Sequence, residues 1–222
     1  MPKPGIALTF DDNYIDDWYR NINFFDSFHV KVTFYVSHYH KLNAEQKSKL
    51  KTLMNHGHEI AYHSLHHPDF VKYLQQNTMG KLEEEEIVKG LKMMNRDGFF
   101  PTNFAYPYGS HNEVLDNCLQ RRFNSVRYLN GTKDYAKSFT KNTKNNELYG
   151  MGIDENSGKT TDQLIGFMRL AKLNDDCIVF VGHHINRKEF KMGVPMERLR
   201  NMVMAARQLN LQFYTVSEIS KP

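Results

Sequence analysis

The chain has 222 residues, of which 40% are hydrophobic and 13% aromatic, and 29 Lys and Arg against 25 Asp and Glu give a formal net charge of +4. A chain of this length and hydrophobic content can bury a full core, and we expect one domain over residues 1–222. The mild, scattered positive charge does not require a nucleic-acid partner, and no apolar run reaches the length that spans a bilayer.

Residues 1–10 lead directly into a strand pattern, so no signal peptide is recognised in the chain as given. The two cysteines, Cys118 and Cys177, lie far apart inside apolar segments. This placement predicts small buried residues rather than a disulfide framework.

Strand and helix patterns alternate along the chain. Short β-branched or aromatic runs predict strands at 6–10, 31–36, 58–62, 103–107, 125–129, 177–181 and 211–216. Helical spacing of apolar residues recurs between them, at about 16–28, 44–56, 81–96, 112–122, 160–174 and 196–208. Several of these segments have polar starts, such as Asn43 and Thr160. The alternation predicts an α/β fold with a parallel sheet, either open or closed into a barrel.

Two polar segments have a structural interpretation. Residues 130–160 show no clear period, and we expect a long surface connection with a possible short strand at 148–153. The acidic run at residues 83–86 falls at the start of a helical pattern, where negative charge complements the helix dipole.

Polar side chains follow several of the predicted strands at the point where each strand ends. Asp11 and Asp12 follow the first strand, His63 the third, Pro107–Gly109 the fourth and His183 the run at 177–181. Active sites of parallel α/β folds gather at the carboxyl ends of the strands. We therefore expect these residues to share one site.

The residue types at these positions suit metal-assisted hydrolysis. Of the two carboxylates, one can bind a cation while the other accepts a proton from water, although such a pair is also typical of caps and turns. His63 and His67 lie four positions apart, which lets both imidazoles reach one ion, with His66 as a rival ligand. Two imidazoles and one carboxylate leave an open position, as a water-activating metal requires.

The histidine pair after the run at 177–181 has two separate interpretations. His183 can donate a proton to a leaving amine, because an imidazole titrates near neutrality. His184 must point elsewhere if the strand geometry persists, so we interpret it as a supporting or surface residue.

Four motifs occur in order along the chain: LTFDD at 8–12, GHEIAYHSLHHPD at 57–69, YPYG at 106–109 and VGH at 181–183. In order and spacing they resemble the motifs of the polysaccharide deacetylase family, also called NodB-like. The resemblance covers residues 6 to at least 184. It implies a single-domain, distorted and incomplete (β/α) barrel of the polysaccharide deacetylase type, with a metal at the strand ends.

The resemblance also implies roles for individual residues. It makes Asp11 the general base, Asp12, His63 and His67 the metal ligands, and His183 the general acid.

Substrate contacts are implied in the same way. The backbone N–H of Tyr108 would hold the tetrahedral oxyanion, and Pro107, Tyr108 and Val181 would contact the substrate. Val181 replaces a Leu that usually lines the acetyl pocket, and this exchange keeps the pocket small and apolar.

The chain departs from the family pattern at two places. The family commonly has an Arg two positions before the Pro of the PYG turn, where this chain has Ala105. Loss of that charge would raise the pKa of Asp11, so another cation is expected, and Arg127 is our candidate. The Asp-x-x-Asp-Trp motif is also missing, since the one tryptophan is Trp18; Asp154 is a candidate for its carboxylate, with a turn-forming residue as the alternative.

The sequence thus predicts a metal-dependent hydrolase that removes acetyl groups, N-acetyl ahead of O-acetyl, from a glycan or amino sugar. Zinc suits two imidazoles and a carboxylate, and cobalt or nickel are also admitted. The alternatives are a catalytically impaired, carbohydrate-binding member of the family and a hydrolase of another non-peptide C–N bond in a small molecule. The family resemblance favours a cell-envelope or secreted location.

Overall fold

The computed structural model describes residues 3–131, 134–142, 147–185 and 192–220. Its strands are β1 (Gly5–Asp12), β2 (Thr33–Val36), β3 (Glu59–Tyr62), β4 (Asn103–Ala105), β5 (Ser125–Leu129), β6 (Glu147–Gly152), β7 (Cys177–Gly182), β8 (His184–Ile185), β9 (Gly193–Val194) and β10 (Gln212–Tyr214). Its α-helices are α1 (Ile15–Arg20), α2 (Ile22–Ser27), α3 (Ala44–Asn55), α4 (Phe70–Tyr73), α5 (Met79–Leu82), α6 (Lys89–Arg96), α7 (Glu113–Leu119), α8 (Thr161–Leu173), α9 (Met196–Gln208) and α10 (Val216–Ile219). A π-helix at Glu83–Val88 joins α5 to α6.

Strands β1 to β7 form a closed parallel barrel. Each pairs with the next in chain order, and β7 pairs back onto β1. Strand β10 pairs with residues 5–7 of β1 on the same edge where residues 9–12 pair with β2. β10 therefore lies between β1 and β2 at the amino end of the barrel. The predicted distorted, incomplete (β/α) barrel is confirmed.

The barrel interior is filled by mostly apolar side chains, namely Ala7, Tyr35, Ala61, Ala105, Leu148, Cys177, Val179, Val216 and Ile219. The last two belong to α10, and the backbone N–H of Val216 donates to Thr33 Oγ1 at 2.8 Å. The larger apolar cluster lies between the barrel and its helices. Because α10 closes the amino end, the carboxyl ends of the strands remain as the open face.

The two predicted helix starts are confirmed. Asn43 and Thr160 each form a capping box, in which the side chain accepts from the backbone of the third helical residue and that residue's side chain accepts in return. The predicted helix at 16–28 is divided into α1 and α2 at Asn21. The predicted helix at 81–96 begins at Met79 and includes the π-helix.

The possible short strand predicted at 148–153 is confirmed as β6 (Glu147–Gly152). The expectation of a surface connection was wrong there, because β6 is a barrel strand between β5 and β7. The strand pattern is weak because two of its six residues, Gly150 and Gly152, are glycines. A Cβ at Gly150 would lie 2.0 Å from Val181 Cγ2, so packing excludes a β-branched residue there. Residues 132–133 and 143–146 of this segment lie outside the described residues.

Two further expectations concern the cysteines and the membrane. Cys118 and Cys177 are free thiols; the expected burial is confirmed for Cys177 and was wrong for Cys118, which is partly exposed. Among the described residues, no helix has both the length and the apolar character to cross a bilayer.

Candidate active site

The open face of the barrel brings together the residues that end β1 and follow β3. Asp11 and Asp12 are the last two residues of β1, and Asp12 has a φ of 83°. This left-handed turn breaks the strand alternation that would point the two carboxylates in opposite directions. As a result, Asp11 Oδ2 and Asp12 Oδ1 lie 3.8 and 3.7 Å from Nε2 of His63.

Asp12, His63 and His67 form a cluster of three side chains that could hold a metal ion. Asp12 Oδ1 lies 3.3 Å from His67 Nε2, and the Nε2 atoms of the two imidazoles are 3.1 Å apart. Ligand atoms placed tetrahedrally 2.0–2.2 Å from one ion stand roughly 3.3–3.6 Å apart, so the residues fit a divalent metal. Among the described residues, this is the group of three whose ligand atoms all lie within 4.8 Å of one another.

The orientation of the imidazoles is fixed by contacts behind them. Nδ1 of His63 lies 2.8 Å from the carbonyl oxygen of Ala105, which directs Nε2 into the cluster. The backbone N–H of His67 donates to Ser64 Oγ at 2.9 Å. His66, the rival ligand, faces away from the cluster, with Nδ1 2.8 Å from Glu86 Oε1 and its side chain 52% exposed.

Asp11 is paired with Arg127 inside the barrel. Both side chains are buried, and Nη2 of Arg127 donates to Asp11 Oδ2. Burial alone would raise the pKa of Asp11, but the charge of Arg127, aided by His63 and His183, holds that pKa below the usual 3.8. Asp11 is therefore an ionised carboxylate at neutral pH.

Arg127 reaches Asp11 from the strand next to Ala105. The Cα atoms of Ala105 and Arg127 are partners in the β4–β5 register, so the two side chains leave the sheet at the same level. The guanidinium carbon lies 5.0 Å from the ring centroid of Tyr35. A Cβ at Gly150 would lie 3.3 Å from Arg127 Cδ and Nη1, so this glycine leaves the room that the long side chain occupies.

His183 is paired with Asp154. Its Nδ1 lies 2.6 Å from Asp154 Oδ2, and its backbone N–H donates to Asp154 Oδ1 at 3.1 Å. Burial lowers the pKa of His183, but the hydrogen bond to Asp154 and the charge of Asp11 outweigh burial and raise it above 6.5. The raised pKa favours the protonated imidazole near neutral pH.

Two residues that the sequence did not single out for the site support His183. Arg198 in α9 donates to the carbonyl oxygens of Ile153 and Asp154, at 2.7 and 2.8 Å, and so fixes the turn that carries the carboxylate. Trp18 in α1 donates from Nε1 to the carbonyl oxygen of His183 at 3.0 Å. No local pattern marks Arg198, because its hydrogen-bond partners lie 39 to 45 residues away in sequence.

His184 faces away from His183, as expected for a supporting residue. It is buried, its Nδ1 lies 2.7 Å from Asp17 Oδ2, and its ring centroid lies 3.4 Å from that of Tyr14. The contact with Asp17 joins β8 to α1.

The PYG turn and Val181 have different surroundings. Tyr108 has a φ of 59° and is 64% exposed, and its ring centroid lies 4.7 Å from that of His67. Pro107 is buried at the start of this turn. Val181 is buried in β7 against Gly150, two residues before His183.

The amino-terminal half of the chain decides the family. A sequence model described as polysaccharide deacetylase matches residues 1–122. The chain belongs to the polysaccharide deacetylase family.

Individual relatives of this deacetylase-family chain agree with that assignment. It is 28% identical, over 166 residues, to a peptidoglycan-N-acetylglucosamine deacetylase from Bacillus cereus. The alignment covers 70% of this chain and 56% of that protein, so the chain spans little more than half of its relative.

Two solved structures share the fold of this deacetylase-family chain. A peptidoglycan deacetylase from Bacillus subtilis matches with a TM-score of 0.62 and 18% identity, over 98% of this chain and 90% of that one. A family 4 carbohydrate esterase from Streptomyces lividans, in complex with acetate, matches with a TM-score of 0.63 and 16% identity, over 95% and 91%.

Proposed function

We propose that this chain is a metal-dependent hydrolase that removes the N-acetyl group from an acetylated glycan. The observation that carries the proposal is the arrangement of three groups at one barrel end. A three-ligand cluster stands beside a buried carboxylate held by Arg127 and an imidazole held by Asp154. Such a set supplies a metal position, a base and an acid, which amide hydrolysis requires.

Asp12, His63 and His67 would hold the ion. When bound, a divalent metal supplies Lewis acidity toward the acetyl carbonyl and lowers the pKa of water. Two imidazoles and one carboxylate suit zinc, and cobalt or nickel are compatible with the same donors.

Asp11 would act as the general base. Arg127 keeps its carboxylate ionised, and Oδ1 makes no hydrogen bond to the described residues although it is buried. A buried, unpaired carboxylate oxygen is a free acceptor for the proton of an attacking water. Arg127 acts through Asp11 and is in our proposal a positioning residue.

His183 would act as the general acid. Its raised pKa keeps a proton on the imidazole near neutral pH, and the Asp154 carboxylate fixes the ring at Nδ1. The other ring nitrogen is then the one that protonates the departing amine. The backbone N–H of Tyr108 is proposed to hold the oxyanion, and Pro107, Tyr108 and Val181 to contact the acetylated sugar.

We choose N-acetylglucosamine units as the first substrate to test, because the Bacillus cereus relative carries that substrate in its name. A cell-wall glycan as substrate implies a cell-envelope or secreted location.

The test is acetate release from N-acetylglucosamine oligomers and from peptidoglycan, with zinc or cobalt bound to the protein. Asp11→Asn should lower the rate by about 10²–10⁴-fold, whereas Asp16→Asn at an exposed position of α1 should leave it unchanged.

Two results would contradict this function. Failure to release acetate from a broad panel of N-acetylated glycans, with metal verified in the protein, would exclude the deacetylase. Tight sugar binding without turnover would instead identify an impaired, carbohydrate-binding member of the family.

A further inference from the structure

The loop that carries the two histidine ligands has a strained backbone. Between His63 and His67, Ser64 has a φ of 64°, and His67 itself has a φ of 57°. Left-handed conformations are unfavourable for residues other than glycine and persist where surrounding contacts hold them. The distance between the two imidazoles therefore depends on what holds residues 64–67.

The π-helix Glu83–Val88 provides those contacts through a single residue, Glu86. Its side chain is 3% exposed, and both carboxylate oxygens bind His66: Oε2 accepts from the backbone N–H at 2.9 Å, and Oε1 lies 2.8 Å from Nδ1. Its carbonyl oxygen accepts from the backbone N–H of Leu65 at 3.2 Å and from the Tyr62 hydroxyl at 2.6 Å. Glu86 thus makes four hydrogen bonds to the segment that leads into His67.

Three features around Glu86 accompany its contacts with the loop: a glycine at position 90, the π-helical backbone and the exposure of Glu84. A Cβ at Gly90 would lie 1.8 Å from the Tyr62 hydroxyl oxygen, so glycine is needed for Tyr62 to reach the π-helix. π-helical turns are rare and occur frequently at functional sites. The neighbouring acidic residue Glu84 is exposed, so the buried position of Glu86 is not a general property of the acidic run.

We infer that Glu86 is a positioning residue of the metal centre, which holds the loop at residues 64–67 in the conformation that lets His63 and His67 bind one ion. The inference rests on the metal site of the proposed function. Glu86 contacts neither ion nor substrate; it acts through His66 and the loop backbone. The sequence interpretation of residues 83–86 as charges that complement a helix dipole does not explain why Glu86 is buried and bound to His66.

Zinc affinity is the direct measure of this role, because it requires no substrate. We would measure the zinc dissociation constant by competition with a chromophoric chelator for wild type, Glu86→Ala, Glu86→Gln and the matched control Glu84→Ala. E86A should raise the constant by about 10–100-fold, the range typical of lost supporting partners of metal ligands. E86Q should raise it less, because its amide oxygen still accepts from the backbone of His66, and E84A should match wild type.

A second readout separates positioning from a loss of fold. The visible absorption of the cobalt-loaded protein reports ligand geometry, and it should change in E86A while thermal unfolding of the metal-free protein still shows a cooperative transition. If E86A does not fold, E86Q compared with Glu84→Gln carries the test, and equal zinc affinity in those two would overturn the inference.

The two proposals fail in different ways. Wild-type protein that takes up neither zinc nor cobalt overturns the proposed metal site, and the inference with it. Wild-type protein that binds zinc, with E86A within about threefold of E84A, overturns the role of Glu86 alone.

Discussion

Replacement of Arg127 by methionine tests the charge pairing on which the proposed base depends. The guanidinium is completely buried and the Asp11 side chain is 3% exposed, so Met fills most of the space and removes only the charge and the hydrogen bond. An uncompensated carboxylate then remains in the barrel interior. Breaking one side of a buried ion pair costs about 3–5 kcal/mol, so R127M should lower the free energy of unfolding at neutral pH by that amount.

The same change should alter the pH dependence. In the wild type the pKa of Asp11 lies below 3.8, so its ionised form is retained until the pH falls through that lowered value. Without Arg127 the effect of burial dominates and the pKa of Asp11 rises. The acid limb of kcat/KM should therefore move toward neutral pH, and the stability lost in R127M should be partly regained as the pH is lowered.

The assays are urea unfolding at neutral and mildly acidic pH and the pH profile of acetate release. The double variant D11N/R127M is the control, because it removes both charges and should be more stable than R127M alone while remaining inactive. Should R127M unfold at the wild-type urea concentration with an unchanged acid limb, the pairing of Arg127 with Asp11 would have no energetic consequence and our reasoning would be refuted.

Three further predictions concern the Asp154–His183 pair, the packing of β6 and the metal cluster. Asp154→Asn should lower the pKa of His183, so the basic limb of the pH profile of acetate release should shift to lower pH. A basic limb at the wild-type position would contradict the role of His183 as the acid. Gly150→Ala should cost about 1–3 kcal/mol in urea unfolding because its Cβ would lie 2.0 Å from Val181, whereas Gly166→Ala meets no neighbour and should not destabilise. Removal of metal by a chelator should abolish acetate release and lower the thermal midpoint, and zinc should restore both; retention of full activity in metal-free protein would contradict the cluster's role.

Local pattern was sufficient for much of the fold and for the location of the site. Most barrel strands carry side chains that are buried on both faces of the sheet, so they were predictable as apolar runs. The polar residues Asp12, His63 and His67 stood out because they come at or soon after the ends of such runs. The capping boxes at Asn43 and Thr160 were predictable for a similar reason: their donors and acceptors lie three residues apart.

The place of β6 in the barrel and the burial of Glu86 were not predictable in this way. A possible short strand was predicted at 148–153, but β6 carries a glycine at residue 150, where a Cβ would meet Val181. The residue that lets β6 fit into the barrel therefore also weakens its strand pattern. Glu86 lies in an acidic run that reads as a solvated helix start, and its partner His66 is 20 residues away. Burial, not residue type, distinguishes it from Glu84.

The sequence by itself determined the family and the barrel class and predicted most residues of the candidate site, because these depend on motifs and on short-range periodicity. Only the tertiary structure decided which partner holds each of them. Arg127 was a candidate from sequence, but its contact with Asp11 exists because barrel closure brings β5 across from β1, 116 residues apart. His183 meets Asp154 because β6 and β7 are neighbouring strands, and Arg198 reaches the carbonyl oxygen of Asp154 from α9. Such contacts between distant elements leave no trace in sequence spacing.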